Sequence, residues 1–378
     1  MKLSDRIESI EESGTTKFSS IIQRLNEEGR EIINFAIGEP DYETPGDIIA
    51  ATKKALDEQR TGYGPVSGLP ELKSELAKQF DGYDAENIVI SNGSKQCLFS
   101  VFQVLCDPSD EVIIPRPCWT SFPQQVKLAG GIPVFVDTKN HQLDCDEIEK
   151  AVTRKTKAIL INTPNNPTGA VYPKKDLERI ARIASEHDLH IVSDEAYIFF
   201  VYDGLENESL FAFKDIRDRI IVTGSFSKTY SMTGFRVGYA AARKEIIRAV
   251  AKCQSHCTGN VCTFAQHGAL AALSLNENMI SQWRADLERK RDMAYGYASE
   301  LFDCIKPQGA FYLFPDVSKH LKAPSRETSA DLAADILENS GVAVVPGEAF
   351  EMANHIRISY AVPEDILKKG FERIAEVL

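Results

Sequence analysis

The sequence predicts an α/β protein with a large domain, built on a mainly parallel seven-stranded sheet, and a smaller α+β domain made from both chain ends. In the middle of the chain, short apolar runs alternate with segments of helical periodicity, a pattern typical of a parallel sheet covered by helices on both faces. The C-terminal third instead begins with a long charged helix, and a charged helix near Phe18–Glu28 has no core of its own. With 378 residues the chain is long enough for two domains.

The predicted sheet consists of short runs of apolar residues at Asn87–Ser91, Glu111–Pro115, Ile132–Val136, Lys157–Asn162, His190–Ser193, Arg219–Thr223 and Val237–Ala241. Helical periodicity is clear at Gln96–Leu105, Lys174–Glu186 and about Asn276–Leu301. From these elements we predict that residues 1–40 and 276–378 form the smaller domain and residues 41–275 the larger one.

The composition argues against several classes of function. The formal net charge is −12, and a surface of that sign repels nucleic acid and anionic membranes. The sequence has no apolar run of about 18 residues, and its first residues are charged where a secretion signal needs an apolar stretch. The eight cysteines form no C-x-x-C pair, which indicates reduced thiols in a cytoplasmic enzyme. The spacing of Cys253, His256, Cys257 and Cys262 matches no common zinc pattern, so we predict no metal site.

Glycine and polar residues follow the ends of three predicted strands, where open parallel sheets bind their ligands. The turn Gly93-Ser94-Lys95 joins a strand to a helix, and its free backbone amides suit a phosphate group, although glycine turns join many strands to helices. Asn166 lies in a proline-rich loop that either presents an amide to a ligand or forms a capped turn. Asp194 follows a buried strand, where a carboxylate needs a cation or an N–H group unless it caps a helix.

Lys228 follows the next strand, in the segment Gly224-Ser225-Phe226-Ser227-Lys228. A lysine amine that is removed from water forms imines with carbonyl groups, which is the chemistry that a pyridoxal aldehyde requires. A phosphate at the same sheet edge would also explain Ser225 and Arg236 as hydrogen-bonding and charge partners.

The motifs occur in the order G-E-P-D, S-N-G-S-K-Q, P-x-W, N-N-P-T-G, D-E-A-Y, S-x-S-K-(x)5-G-x-R-x-G and R-I-S-Y. This series resembles the class I aminotransferases, the aspartate aminotransferase family, over essentially the whole chain. The resemblance implies a fold-type I pyridoxal-phosphate-dependent transferase with pyridoxal 5′-phosphate as its cofactor.

The resemblance also implies catalytic and cofactor-binding roles. Lys228 would carry the cofactor as a Schiff base and then move the substrate α-proton. Asp194 would pair with the pyridine nitrogen, Asn166 and Tyr197 would hydrogen-bond the ring oxygen, and Trp119 would stack on the ring. The implied phosphate ligands are Gly93, Ser94, Lys95, Ser225 and Arg236. Tyr63 would reach the phosphate of a neighbouring subunit, which implies a homodimer with shared active sites.

For the substrate, the resemblance implies that Arg357 binds the α-carboxylate in a bidentate manner and that Gly38 offers its backbone to the same group. Trp119 and Asn166 would also contact the substrate. Lys95, Ser13 and Thr15 occupy the places that meet a distal carboxylate in bacterial and archaeal aspartate aminotransferases.

We therefore expect aspartate or glutamate as amino donors and small 2-oxo acids as acceptors. An aminotransferase for aromatic amino acids, alanine or prephenate, or a β-lyase on the same fold, stays open as an alternative. A pyridoxal-binding transcription regulator is disfavoured, because the chain begins almost directly with the enzyme motifs and is acidic. The segment 80–86 is shorter than the usual connection into the first large-domain strand and could alter the rim of the site.

Overall fold

The computed structural model describes residues 3–11, 24, 27, 29–322 and 326–378. The candidate substrate residues Ser13 and Thr15 lie outside the described residues, and so does almost all of the helix predicted at Phe18–Glu28. None of the helices in the described part of the chain is long and apolar enough to cross a membrane.

The strands in chain order are β1 (Ile33–Asn34), β2 (Ile88–Ser91), β3 (Glu111–Arg116), β4 (Ile132–Asp137), β5 (Thr156–Asn162), β6 (His190–Asp194), β7 (Ile220–Ser225), β8 (Gly238–Ala241), β9 (Tyr312–Leu313), β10 (Val342–Ala343), β11 (Val345–Pro346) and β12 (Ile356–Ser359). The described α-helices are α1 (Asp5–Glu8), α2 (Gly46–Asp57), α3 (Pro70–Ala77), α4 (Ser94–Leu105), α5 (Ser121–Leu128), α6 (Cys145–Lys150), α7 (Lys174–Glu186), α8 (Phe226–Thr229), α9 (Lys244–Ser255), α10 (Thr263–Ala272), α11 (Glu277–Leu301), α12 (Ser329–Ser340) and α13 (Glu364–Val377). Short 3₁₀ turns lie at Ala85–Asn87, Leu210–Ala212, Lys214–Arg219, Thr233–Phe235, Ser318–His320 and Gly347–Phe350.

The central sheet has seven strands in the order β2-β8-β7-β6-β5-β3-β4. Strand β8 runs antiparallel to β2 and β7, and the other pairs are parallel. The predicted α/β class and the mainly parallel seven-stranded sheet are therefore confirmed. Each predicted strand of this sheet matches an observed one to within two residues at either end.

The sheet is apolar on both faces because helices cover both of them. Along β5, Ile159 and Ile161 pack into one hydrophobic cluster, while Ala158 and Leu160 pack into the cluster on the opposite face. A strand placed in this way needs apolar residues at consecutive positions rather than alternate ones, which explains the continuous apolar runs in the sequence.

A second region combines the two ends of the described chain. Strand β1 pairs in parallel with β10, and a three-stranded sheet has the order β11-β12-β9. Ile33 and Phe35 share a hydrophobic cluster with residues of α11, α12 and α13. The sequence limits of the two domains stay a prediction.

Candidate active site

A cavity of about 550 Å³ opens where β5, β6 and β7 end, and residues from both regions line it. Its lining includes the predicted site residues Gly38, Ser94, Lys95, Trp119, Asn166, Asp194, Tyr197, Ser225, Lys228, Arg236 and Arg357. Gly93 lies next to this lining, in the turn before α4. Tyr63 is fully exposed and lies outside the lining. The structure thus brings most of the predicted residues together.

Asp194 is the last residue of β6 and is 4% exposed. Its carboxylate accepts a hydrogen bond from the backbone amide of Ala196 at 3.2 Å, and no Lys or Arg of the described residues forms an ion pair with it. Burial raises the pKa of Asp194 to about 7, although the Ala196 amide acts in the opposite direction. This carboxylate would be stabilised by a ligand that brings a positive charge.

Lys228 lies in α8, the short helix that follows β7 directly. The side chain of Ser225 caps this helix, so the strand end fixes the position of the lysine. The Lys228 amine donates a hydrogen bond to the backbone carbonyl of Gly38. Burial lowers the pKa of Lys228 to about 8; Glu39 opposes this change, and the nearby cations, Arg236 first among them, add to it. A substantial fraction of the amine is therefore neutral near physiological pH.

The turn before α4 offers a site for an anion. No side chain caps α4, so its first backbone amides are free to bind a ligand in the cavity. Gly93 has a φ of +79°, and a Cβ there would lie 2.5 Å from Nη2 of Arg236. A Cβ on Gly238 would lie 2.4 Å from the amide nitrogen of Ser94. Both glycines therefore let the guanidinium and the strand pack closely against the turn, and Arg236 itself donates only to backbone carbonyls in the described chain.

Arg357 lies on β12 and is 2% exposed. Its guanidinium donates to Oδ1 of Asn166 at 3.1 Å and to the carbonyl of Ala36 at 2.7 Å. The group lies between the rings of Tyr312 and Phe350, 4.4 and 5.0 Å from their centres. Its Nε has no hydrogen-bond partner among the described residues, and burial lowers the pKa of Arg357. The guanidinium is buried and has no acidic partner in the part of the chain that the structure describes, as expected of a group that binds a carboxylate ligand.

Lys95 and Trp119 form another part of the lining. The Lys95 amine lies 4.9 Å from the centre of the Trp119 ring. Burial lowers the pKa of Lys95, and the charge of Arg236 acts in the same direction. Lys95 is thus a further cation in the cavity. Because the Asn166 oxygen accepts from Arg357, the amide NH₂ of Asn166 is left to donate to a ligand.

Sequence reasoning missed eight residues of the cavity lining, and two of them, Glu39 and Tyr312, have side chains that bear on the chemistry. Glu39 could have been found from its place beside Gly38 in the G-E-P-D motif, whereas Tyr312 lies in the run G-A-F-Y-L-F, which is typical of a buried strand. Gly38 also has a second reason to lack a side chain. A Cβ there would lie 2.4 Å from the Tyr312 hydroxyl, so the glycine accommodates a residue of the protein itself.

Three comparisons with known proteins agree with this geometry. The family model described as aminotransferase class I and II matches residues 30–374. The chain is 38% identical to an aspartate aminotransferase of Bacillus subtilis (99% of this chain, 98% of that one) and 39% identical to a probable aspartate/prephenate aminotransferase of Aquifex aeolicus (100% and 98%). A solved structure of the aspartate aminotransferase from Thermus thermophilus with maleate superimposes with a TM-score of 0.94 at 37% identity, over 100% of both chains.

Proposed function

The chain belongs to the class I and II aminotransferases, and from this premise we propose that it binds pyridoxal 5′-phosphate through Lys228 and transfers amino groups between aspartate or glutamate and 2-oxo acids. One observation carries the proposal. A single cavity contains a lysine amine of lowered pKa and, among the described residues, a buried carboxylate without a cationic partner and a buried guanidinium without an acidic one.

The groups in the cavity fit the cofactor in chemical type. The amides at the start of α4, with Ser94, Ser225 and Arg236, suit a phosphate. The buried carboxylate of Asp194 suits a protonated pyridine nitrogen. The Lys228 amine suits an aldehyde, and the Asn166 amide and the Tyr197 hydroxyl suit the ring oxygen. We propose Gly93, Lys95 and Trp119 as the remaining contacts, with Trp119 stacked on the ring.

When bound, the cofactor supplies an electron sink for the bond that breaks at the substrate α-carbon. The other steps belong to the chain. Arg357 binds the α-carboxylate in a bidentate manner and thereby fixes the α-carbon, with Gly38, Trp119 and Asn166 around it. Once its Nζ is free, Lys228 accepts the α-proton as a general base. Burial lowers the pKa of this amine in the cofactor-free protein, which suits a group that takes up and releases a proton.

Aspartate and glutamate are proposed as donors because Lys95 adds a further cation to the cavity that holds Arg357. A charge-assisted contact of about 1.5–3 kcal/mol would favour a dicarboxylate roughly 10- to 100-fold over a neutral analogue. Ser13 and Thr15 are proposed as further contacts to the distal carboxylate. Prephenate is a second candidate, since it also has two carboxylates and the Aquifex aeolicus relative is described as an aspartate/prephenate aminotransferase.

We also propose a cytoplasmic homodimer with shared active sites. The Tyr63 ring is fully exposed and contributes nothing to the cavity of its own chain, which supports a role in the cavity of a partner. Within each chain we propose a small domain of residues 1–40 and 276–378 and a large domain of residues 41–275, because Ile33 and Phe35 pack with the C-terminal helices.

The test is an assay of the purified protein with aspartate and 2-oxoglutarate. Glutamate and oxaloacetate should form, without ammonia or CO₂, which separates transamination from a lyase or decarboxylase. Lys228→Ala should lose both turnover and the visible absorbance of the bound cofactor. Lys175→Ala, on the exposed face of α7, is the matched control and should keep both. An active Lys228→Ala variant with an unchanged visible band would refute the assignment.

A further inference from the structure

Tyr312 contacts two of the groups to which the proposed function assigns roles. It is 1% exposed and lines the cavity. Its ring covers the Arg357 guanidinium at 4.4 Å, and its hydroxyl lies 2.8 Å from the Tyr197 hydroxyl. One side chain therefore connects the proposed carboxylate-binding group with the proposed donor to the cofactor ring.

The backbone determines this position. Tyr312 lies on β9, which pairs antiparallel with β12 so that Tyr312 is opposite Ser359. Since Ser359 and Arg357 are two residues apart on β12, they share a face of the sheet, and Tyr312 lies on that face diagonally across from Arg357. On the other side, the Tyr312 hydroxyl lies 2.4 Å from the point where a Cβ of Gly38 would be, so it packs closely against the glycine.

The two hydroxyls share one hydrogen bond, and either of them can donate it. In the described part of the chain, neither hydroxyl has another hydrogen-bond partner. A phenol has a single hydrogen to donate. If Tyr197 donates to Tyr312, that hydrogen is not available to a ligand; if Tyr312 donates, the Tyr197 hydrogen is free to point into the cavity. Burial raises the pKa of both hydroxyls, so both keep their hydrogens at physiological pH.

We propose that Tyr312 is a positioning residue of the aminotransferase: its hydroxyl donates to Tyr197, which directs the Tyr197 hydrogen to the ring oxygen of the bound cofactor, and its ring holds Arg357 in place for the substrate carboxylate. This inference rests on the proposed function. A hydroxyl that accepts a hydrogen bond is also a stronger donor, so Tyr312 increases the stabilisation that Tyr197 gives to an oxygen anion.

The hydroxyl pair is tested by the pH midpoint of the visible absorbance of the cofactor-loaded protein. A donor to the ring oxygen stabilises its deprotonated form, so loss of the donor raises the midpoint. Tyr197→Phe should raise it by about one to two pH units, and Tyr312→Phe by about 0.2–0.6 units. The double variant should behave like Tyr197→Phe alone, because without Tyr197 the Tyr312 hydroxyl has no group to act through. Tyr202→Phe is the matched control, since this buried tyrosine donates only to the Ala310 carbonyl, and it should leave the midpoint unchanged.

A residue that only fills space would not move this midpoint when its hydroxyl is removed. An unchanged midpoint in Tyr312→Phe, or additive shifts in the double variant, would overturn the inference. The transamination assay on the wild-type protein is run in parallel. Activity there, together with an unchanged Tyr312→Phe midpoint, would reject the role of Tyr312 and leave the proposed function intact.

The ring contact has its own test in steady-state kinetics. Tyr312→Phe keeps the aromatic face over Arg357 and should leave the KM for aspartate within about twofold, whereas Tyr312→Leu should raise it roughly fivefold. Equal KM values for the two variants would overturn this part of the inference.

A rescue experiment checks the geometry without requiring turnover. Gly38→Ala should lower the thermal midpoint, and adding Tyr312→Phe should restore much of the loss, because the atom 2.4 Å from the new Cβ is then absent. No restoration would contradict the packing on which the inference depends.

Discussion

Two arginines are buried on the side of the molecule formed by the chain ends, and their surroundings are opposite. Arg291, on α11, has no exposed side-chain surface and forms a bidentate pair with Asp203 at 2.6 and 2.8 Å. Asp292 lies 2.7 Å away on the same helix. Burial lowers the pKa of Arg291, but the bonds and charges of these carboxylates outweigh it and raise the pKa overall. Arg357, by contrast, is bonded to an amide and a carbonyl and has no acidic partner in the described chain.

This difference distinguishes a buried charge that the chain itself neutralises, at Arg291, from one that is left for a ligand, at Arg357. Burial of an ion costs several kcal/mol, and the cost is offset only by good partners. Around Arg291 the partners are part of the chain, so the free protein is already stable there. Around Arg357 no described residue supplies the charged partner, and a ligand carboxylate would supply it. A buried cation without an acid therefore indicates a binding site, which the following predictions test.

Replacing Arg291, the arginine with acidic partners, should affect the stability of the protein and little else. We expect Arg291→Met to lower the free energy of unfolding by about 1.5–3 kcal/mol, because it removes the charge-assisted hydrogen bonds of a buried guanidinium to carboxylates that are themselves half exposed. The kcat/KM of the protein that remains folded should stay close to wild type. Urea unfolding and steady-state kinetics measure the two quantities. Arg289→Met is the control on the same helix, since its ion pairs are exposed and its loss should leave the free energy of unfolding nearly unchanged.

The comparison would fail if Arg291→Met and Arg289→Met had the same stability. That result would mean that Asp203 and Asp292 do not stabilise the buried guanidinium, and that acidic partners do not distinguish the two regions.

Replacing Arg357 should instead weaken substrate binding and leave the stability of the protein almost unchanged. Arg357→Met should raise the KM for every amino acid substrate roughly 30- to 1000-fold, equivalent to about 2–4 kcal/mol, because the α-carboxylate loses its bidentate partner. The ligand-free protein should change in stability by about 1 kcal/mol or less, since an uncompensated buried charge is removed along with its bonds to Asn166 and Ala36. A stability loss as large as that of Arg291→Met, with an unchanged KM, would place Arg357 among the structural charges.

Sequence reasoning predicted the sheet well and the site only in part, for a physical reason. The strands of the central sheet were predictable because burial on both faces demands continuous apolar runs. Lys228 and Asp194 were predictable because chemical groups at strand ends meet at one edge of a parallel sheet. Local pattern does not reveal the bidentate pair that distinguishes the two arginines, since Asp203, which forms it with Arg291, is 88 positions away. Tyr312 was missed because an aromatic residue in an apolar strand indicates a core position, and only the pairing of β9 with β12 places it over Arg357.

Lys95 extends the comparison to another cation, which lines the same cavity as Arg357. It contacts the Trp119 ring and, like Arg357, forms no ion pair with an acid of the described chain. We expect Lys95→Ala to lower kcat/KM for aspartate and glutamate roughly 10- to 100-fold, or about 1.5–3 kcal/mol, because the distal carboxylate loses a charge-assisted contact. Alanine is the control substrate, because it has no distal carboxylate and should be affected much less. Equal losses for aspartate and alanine would remove the argument for dicarboxylate substrates.

Two adjacent carboxylates show the same contrast between a group with partners in the chain and a group that faces the cavity. The pH dependence of stability can measure it. Burial raises the pKa of both Asp194 and Glu195 to about 7. Glu195 accepts hydrogen bonds from Ser193 at 2.9 Å and Ser209 at 2.7 Å, whereas Asp194 faces the cavity. The folded protein binds these protons more tightly than the unfolded chain. Without cofactor, its stability should therefore fall as pH rises from about 4 to 7, by at most about 1.4 kcal/mol per pH unit for each group.

Cofactor binding should remove only the part of this slope that belongs to Asp194, because a positive charge beside that carboxylate lowers its pKa again. Asp194→Asn should produce the same flattening without cofactor, and in that variant the cofactor should flatten the slope no further. In Glu195→Gln, by contrast, the cofactor should still reduce the remaining slope. Urea unfolding of the three proteins between pH 4 and 8, with and without cofactor, measures these differences. Wild-type slopes that are identical in the two conditions would mean that Asp194 does not meet the cationic group, and that its burial, like that of Arg291, belongs to the fold.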